Sequence, residues 1–170
     1  MESKKNLVLL GMMASGKSTI GILVSKKLGL KFYDIDKIIE KETNMTISQI
    51  FAEKSEVFFR SLEEKTVLKI LKNKRAVISL GGGSFSNEKL RKEIVSNHIS
   101  FWLDCSNKTL LNRIRKNKRR PLANKLTNKE IIELITKRKK NYVKANFRID
   151  CDKLNKIQTV NNIAKLYETI

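Results

Sequence analysis

Gly11-Met-Met-Ala-Ser-Gly16-Lys17-Ser18 carries the spacing Gly-x-x-x-x-Gly-Lys-Ser, which has a specific chemistry. In such a loop the backbone N–H groups converge on phosphate oxygens, the lysine reaches the β- and γ-phosphates, and the final hydroxyl ligates Mg²⁺. Lys17 and Ser18 take those two roles here, and Gly11, Ala14, Ser15, Gly16 and Thr19 complete the loop. The flanks supply the setting that the pattern needs. Residues 7–10 are a short aliphatic run with buried-strand character, and Ile20, Leu23, Val24 and Leu28 follow at helical spacing. Gly29 then stands where a helix C-terminus favours a positive φ. A nucleoside triphosphate is the expected ligand.

The acceptor end must come from other residues. Asp34 and Asp36 are read as closing a second strand two residues apart, so that both side chains leave on one face. One carboxylate can hold Mg²⁺ through water, and the other can orient an attacking hydroxyl and take its proton. Solvated strand-end or helix-capping aspartates are the plainer reading of the same pair. Arg60 and Glu63 are i,i+3 neighbours on a helical stretch, either a surface ion pair or a guanidinium fixed to grip a carboxylate. Gly81-Gly82-Gly83 ends a strand and lets backbone approach a ligand closely. Arg113, Arg115, Lys116, Lys118, Arg119 and Arg120 form a basic run in the position of a closing lid, which would keep water from the triphosphate. Arg138, four residues before Tyr142, is a second candidate for a carboxylate clamp.

The elements that must position these groups alternate along the chain. Strand candidates at 7–10, 32–36, 76–80, 99–103 and 147–150 are interleaved with helical periodicity at 17–28, 56–72, 87–95, 108–116, 129–143 and 157–169. This alternation predicts a parallel sheet with helices on both faces and ligands beyond the C-terminal strand ends. Every candidate group lies at such an end or in a segment able to fold over it. Trp102 and most phenylalanines fall in core patterns, and His98 reads as a solvated loop residue.

Bulk properties narrow the class. A chain of 170 residues with one proline and no Gly/Ser-rich stretch is expected to form one domain. The apolar run near the N-terminus is too short for a signal peptide or a membrane span. Cys105 and Cys151 show neither metal-ligand spacing nor a paired framework, so a cytoplasmic setting is expected. The charge is unusual, with 36 Lys+Arg against 17 Asp+Glu and a net +19. Because the lysines are spread along the chain among many Asn and Ile, an A+T-rich coding bias explains most of this surplus. Weak polyanion affinity would follow as a side effect, without a specific nucleic-acid partner.

Taken in order and spacing, Asp-x-Asp, Phe-Arg-x-x-Glu, Gly-Gly-Gly, Arg-Pro-Leu and Lys-Arg-x-x-x-Tyr resemble the shikimate kinase family, over nearly the whole chain. The resemblance implies a P-loop kinase fold of class α/β, with a five-stranded parallel sheet in order 2-3-1-4-5. It also implies a substrate-binding segment near residues 35–62 and a mobile lid near 112–126. The implied reaction is ATP-dependent phosphorylation of the shikimate 3-hydroxyl, with Mg²⁺ as cofactor; a monomer is the default expectation. By position, Asp36 would hold the hydroxyl and is the base candidate, with Lys17 and Arg120 completing the catalytic set. Arg60 and Arg138 would bind the carboxylate, and Gly82 and Gly83 would approach the ring. Asp34 would reach Mg²⁺ through water alongside Ser18, and Arg113, Arg120 and Lys156 would serve the nucleotide. Ala14 and Ser55 stand where the family usually has glycine, and Ala123 stands where a second leucine is common. Gluconate kinase and nucleotide monophosphate kinase are the rival enzymes, and a nucleic-acid-binding ATPase is the rival of another class.

Overall fold

The structure, a computed structural model, describes residues 5–116 and 125–170. The predicted lid tip, including Arg120 and Ala123, lies outside them. The described residues form a parallel sheet of strands β1 (Leu7–Leu10), β2 (Lys31–Asp34), β3 (Ala76–Ser79), β4 (Ile99–Asp104) and β5 (Phe147–Asp150), in order β2-β3-β1-β4-β5. The expected order is therefore the observed one.

Leu-Val-Leu-Leu in β1 is buried at every position, as a central parallel strand covered on both faces requires. Alternation divides its side chains between two cores. Val8 and Leu10 join Ile78 and Trp102 on one face, while Leu7 and Leu9 join Val77, Phe101 and Leu103 on the other. Helix α1 (Lys17–Leu28) and the C-terminal helix α8 (Lys156–Glu168) cover the second face through Ile20, Val24, Val160, Ile163 and Tyr167. The first face is covered by α2 (Ile35–Thr43), α3 (Ile47–Glu53), α4 (Glu56–Leu71), α5 (Glu88–Asn97), α6 (Asn107–Lys116) and α7 (Asn128–Tyr142).

Helix starts are set by side-chain caps. Thr46 with Gln49, Thr127 with Glu130 and Asn155 with Gln158 form reciprocal capping boxes, each satisfying two backbone donors. At the opposite end of the sheet, fully buried Asn6 donates from Nδ2 to the carbonyls of Leu71 (2.9 Å) and Asn73 (2.7 Å) and accepts from Ala76 N (3.1 Å). One amide thus ties the α4–β3 turn to β1. His98 sits beside it, with Nδ1 3.3 Å from Asn6 Nδ2 and its side chain only 10% exposed. The expectation of a solvated histidine is corrected: its helix-end position places it on the buried amide.

A second correction concerns Asp36. The strand expected over 32–36 ends at Asp34, and Asp36 belongs to the first turn of α2. The cause is local, because the Asp34 carboxylate caps α2 by accepting from Lys37 N at 3.4 Å. The two aspartates therefore do not share a strand face. No helix among the described residues is long and apolar enough to cross a membrane.

Candidate active site

The phosphate loop runs from β1 into α1 through three positive-φ residues, Gly11 (φ 145), Ala14 (φ 64) and Gly16 (φ 100). These backbone twists turn the loop's N–H groups inward and leave α1 with its N-terminus pointing into the loop. Lys17 folds back over the loop, donating from Nζ to the carbonyls of Gly11 (2.9 Å) and Met12 (3.0 Å). Ser15 Oγ is buried and lacks a hydrogen-bond partner among the described residues. A buried hydroxyl left in that state suits an anion, because an unpaired polar group is costly without one.

Ser18 Oγ lies 2.5 Å from Asp34 Oδ2, so the last loop residue and the end of β2 meet. Both are hard oxygen donors, and such a pair fits Mg²⁺. Ser79 is buried and pairs with Asp34 in the β2–β3 register.

The three glycines after β3 gather the acceptor-side groups. A Cβ at Gly81 would stand 2.5 Å from Glu63 Oε1 and 2.9 Å from Asp36 Oδ1. At Gly82 it would stand 3.0 Å from Arg138 Nη1, and at Gly83 2.5–2.7 Å from the Arg60 guanidinium. Asp36, Glu63, Arg138 and Arg60 thus lie in turn over a strip of backbone that has no side chains to hold them off. Gly82 also faces the loop, since the same Cβ would come 3.4 Å from Met13 N. The acceptor strip and the phosphate loop are therefore neighbours.

The guanidiniums are fixed from below. Glu63 is almost fully buried, accepting from Arg60 Nη1 at 2.7 Å and from Ser84 Oγ at 2.5 Å. Arg60 also leans on Glu56 Oε1 at 3.4 Å and stacks over the Phe59 ring. Arg138 is half-buried on α7, with Nη1 3.5 Å from Met12 Sδ. Burial holds its pKa below the usual arginine value, and the nearby positive charge of Arg60 acts in the same direction. Arg60 is seated on Glu63 and Glu56 while Arg138 faces the same space, so a carboxylate entering there meets two guanidiniums. Tyr142, one helical turn on, donates its hydroxyl to Gly82 O, and burial raises its pKa to about 12.

Arg113 on α6 donates from Nη1 to the carbonyls of Ala14 (3.3 Å) and Ser15 (3.5 Å), bracing the outside of the loop. Lys156 is the exposed first residue of α8, beyond the C-terminal end of β5. Arg120 lies outside the described residues. Arg115 marks the base of the predicted lid, donating from Nη2 to Leu126 O at 2.6 Å. Asp34, Asp36, Arg60, Gly82, Gly83, Arg138 and the loop residues thus converge at the C-terminal end of β2, β3 and β1. Sequence reasoning gave no part to Ser84, Met12 or the Tyr142–Gly82 bond. Tyr142 was visible in the Lys-Arg-x-x-x-Tyr pattern, but nothing in the spacing pointed to a backbone partner.

Comparison with known proteins agrees with this geometry. The family model described as shikimate kinase matches residues 13–168. A shikimate kinase of Persephonella marina is 42% identical over 159 residues, which cover 94% of this chain and 96% of that protein. The crystal structure of shikimate kinase from Aquifex aeolicus superposes with a TM-score of 0.83 at 31% identity, over 96% of both chains. Shikimate kinase from Acinetobacter baumannii, in complex with shikimate, gives a TM-score of 0.86 at 27% identity, over 99% of this chain and 93% of that one. With the fold, the loop and the motif order in agreement over almost its full length, the chain belongs to the shikimate kinase family.

Proposed function

We propose that the chain transfers the γ-phosphoryl group of ATP to the 3-hydroxyl of shikimate, releasing ADP and shikimate 3-phosphate. The observation that carries this reading is the placement of Arg60 and Arg138 over Gly83 and Gly82, with Asp36 over Gly81 and the phosphate loop alongside. A small acid bearing a hydroxyl fits that strip. Its carboxylate lies between the two guanidiniums, and its hydroxyl faces Asp36.

Each side chain has a part in this reading. Arg60, held by Glu63, offers a planar fork to the carboxylate, and Arg138 adds a second charge from a poorly hydrated position. Asp36 orients the acceptor hydroxyl and takes its proton as the oxygen bonds to phosphorus. Phosphoryl transfer proceeds through a loose transition state, so orientation outweighs base strength. Lys17 and the loop N–H groups stabilise negative charge on the phosphate oxygens, with Ser15 Oγ available as a further donor. Ser18 and Asp34 would hold Mg²⁺, which when bound offsets charge on the β- and γ-phosphates. Arg113 and Lys156 are assigned to the nucleotide end, and Arg120 to a lid that excludes water.

The same reading takes the protein as a single-domain, cytoplasmic monomer, with residues 35–62 serving the acid and 112–126 closing over it. A coupled assay of ADP release tests the acceptor, with shikimate, gluconate, a nucleoside monophosphate and RNA as arms. Turnover with shikimate alone is expected. Turnover with gluconate or the monophosphate but not shikimate would replace the acceptor, and RNA-stimulated hydrolysis with steep salt dependence would replace the class.

A further inference from the structure

Cys105 and Cys151 are the only cysteines of the chain, 46 positions apart in sequence, yet the fold makes them neighbours. The β4–β5 register pairs Asp104 with Asp150, and Cys151 N donates to Asp104 O at 2.9 Å, so the ladder continues one residue past β5. The two cysteines follow that pair at equivalent positions on adjacent strands. Such strands lie about 4.8 Å apart, inside the roughly 4.4–6.8 Å Cα separation that a disulfide spans. Cys151 Sγ donates to Ile149 O at 3.5 Å, on its own strand.

Their surroundings belong to the phosphate loop. Cys105 Sγ donates to Ser15 O at 3.8 Å and accepts from Arg113 Nη1 at 3.7 Å, and the same Nη1 braces Ala14 O and Ser15 O. Cys105 is buried and Cys151 is partly exposed beside it. Any change at the Cys105 sulfur therefore reaches the loop through two contacts.

We propose that Cys105 and Cys151 form a reversible disulfide under peroxide, and that this bond weakens nucleotide binding by withdrawing the Cys105 sulfur from Ser15 and Arg113. The adjoining Cys151 thiol and the Arg113 charge hold Cys105 below the usual thiol range, while the adjoining Cys105 thiol and burial push Cys151 up. The Cys105 sulfur attacks one oxygen of hydrogen peroxide, forming an S–O bond as the O–O bond breaks and water leaves. The Cys151 sulfur then attacks the Cys105 sulfur, forming the S–S bond as the S–O bond breaks and a second water leaves. Two thiols lose two electrons and two protons, and one peroxide becomes two waters. A thiol reductant returns the pair.

The inference rests on the nucleotide assignment of the loop and not on the identity of the acceptor, so the test uses ADP alone. The full chain is treated with hydrogen peroxide, alkylated without reduction, digested and examined by mass spectrometry, while calorimetry reads ADP affinity before and after. The expected result is a linked Cys105–Cys151 peptide pair, an ADP affinity lower by about three- to tenfold, and recovery of both on reduction. Cys151→Ser and Cys151→Ala should bind ADP as the untreated protein does and should give no linked pair under peroxide, oxidation stopping at Cys105. The proposal is overturned if both thiols remain open to alkylation, if they pass to sulfonic acids without a linked pair, or if the linked protein binds ADP unchanged.

Discussion

Ser18 Oγ donates to Asp34 Oδ2 across 2.5 Å, which brings the last residue of the phosphate loop and the end of β2 within reach of one cation. Asp34 has a second task, because its other oxygen caps α2 through Lys37 N. Asn at this position keeps the capping oxygen and removes the charge. Asp34→Asn should therefore fold normally but need a several-fold higher Mg²⁺ concentration for half-maximal rate. Magnesium titration at fixed ATP is the check, and an unchanged midpoint would free Asp34 from the metal role.

Asp36 lies near Gly81 at the start of α2 rather than at a strand end. Asp36→Asn keeps the shape and removes the proton acceptor. A kcat loss of about 10²–10⁴-fold is expected, with little change in thermal midpoint. Steady-state kinetics beside a melting curve decide this, and near-normal kcat would take Asp36 out of the reaction.

Gly83 has no room for a methyl group, because a Cβ there would sit 2.5–2.7 Å from the Arg60 guanidinium. Gly83→Ala should push Arg60 off its Glu63 seat and raise KM for shikimate by about 10–100-fold, leaving KM for ATP near its original value. If both constants rise together, the glycine supports the whole site rather than the acid alone.

Much of the fold could be read in advance, for local reasons. The alternation of aliphatic runs and helical periods set the parallel sheet, and the periods at 129–143 and 157–169 start within one residue of α7 and α8, whereas α3, opened by the Thr46–Gln49 box, is too short to show a period. Asp36 was misplaced because apolar Ile35 between two aspartates fits a strand as well as a helix start, and only the cap on Lys37 N separates the two. The acceptor residues were visible as types, but not their pairing. Spacing along the chain does not say that Arg60 overlies Gly83, Arg138 overlies Gly82, or that Tyr142 anchors the Gly82 carbonyl. Those relations depend on how α4 and α7 cross the strand ends, and no local signal carries that.

Ala14 holds φ 64, a left-handed conformation that costs an L-residue about 1–2 kcal/mol. This accounts for glycine being usual at that position. Ala14→Gly relieves the strain but adds freedom to the unfolded chain, leaving a net gain of about 0.5–1 kcal/mol. Urea unfolding should show a higher midpoint for the variant. A lower one would mean that the methyl group makes a stabilising contact that outweighs the strain.

Burial beside Asn6 holds the His98 pKa below the ordinary 6.5, with Glu93 opposing the shift. The unfolded chain therefore binds a proton at a pH where the folded chain does not. Stability from this group is fully present above 6.5 and is lost as pH falls toward the lowered folded value. His98→Gln should be less stable than the parent at about pH 7.5, with the gap narrowing toward about pH 5.5. Urea titrations at both values test this, and a constant gap would exclude His98 as the source.

Leu7 at the head of β1 pairs with Val77 on one side and Ile99 on the other. Both strand partners of β1, which leads into the phosphate loop, thus lie far along the chain. Closing those long loops is entropically slow, so pairings of this kind form late relative to local helices. Helical signal should return early on refolding from urea, while ATP-dependent turnover should wait for β1 to be enclosed. Catalytic recovery would then time the closing of the centre of the sheet.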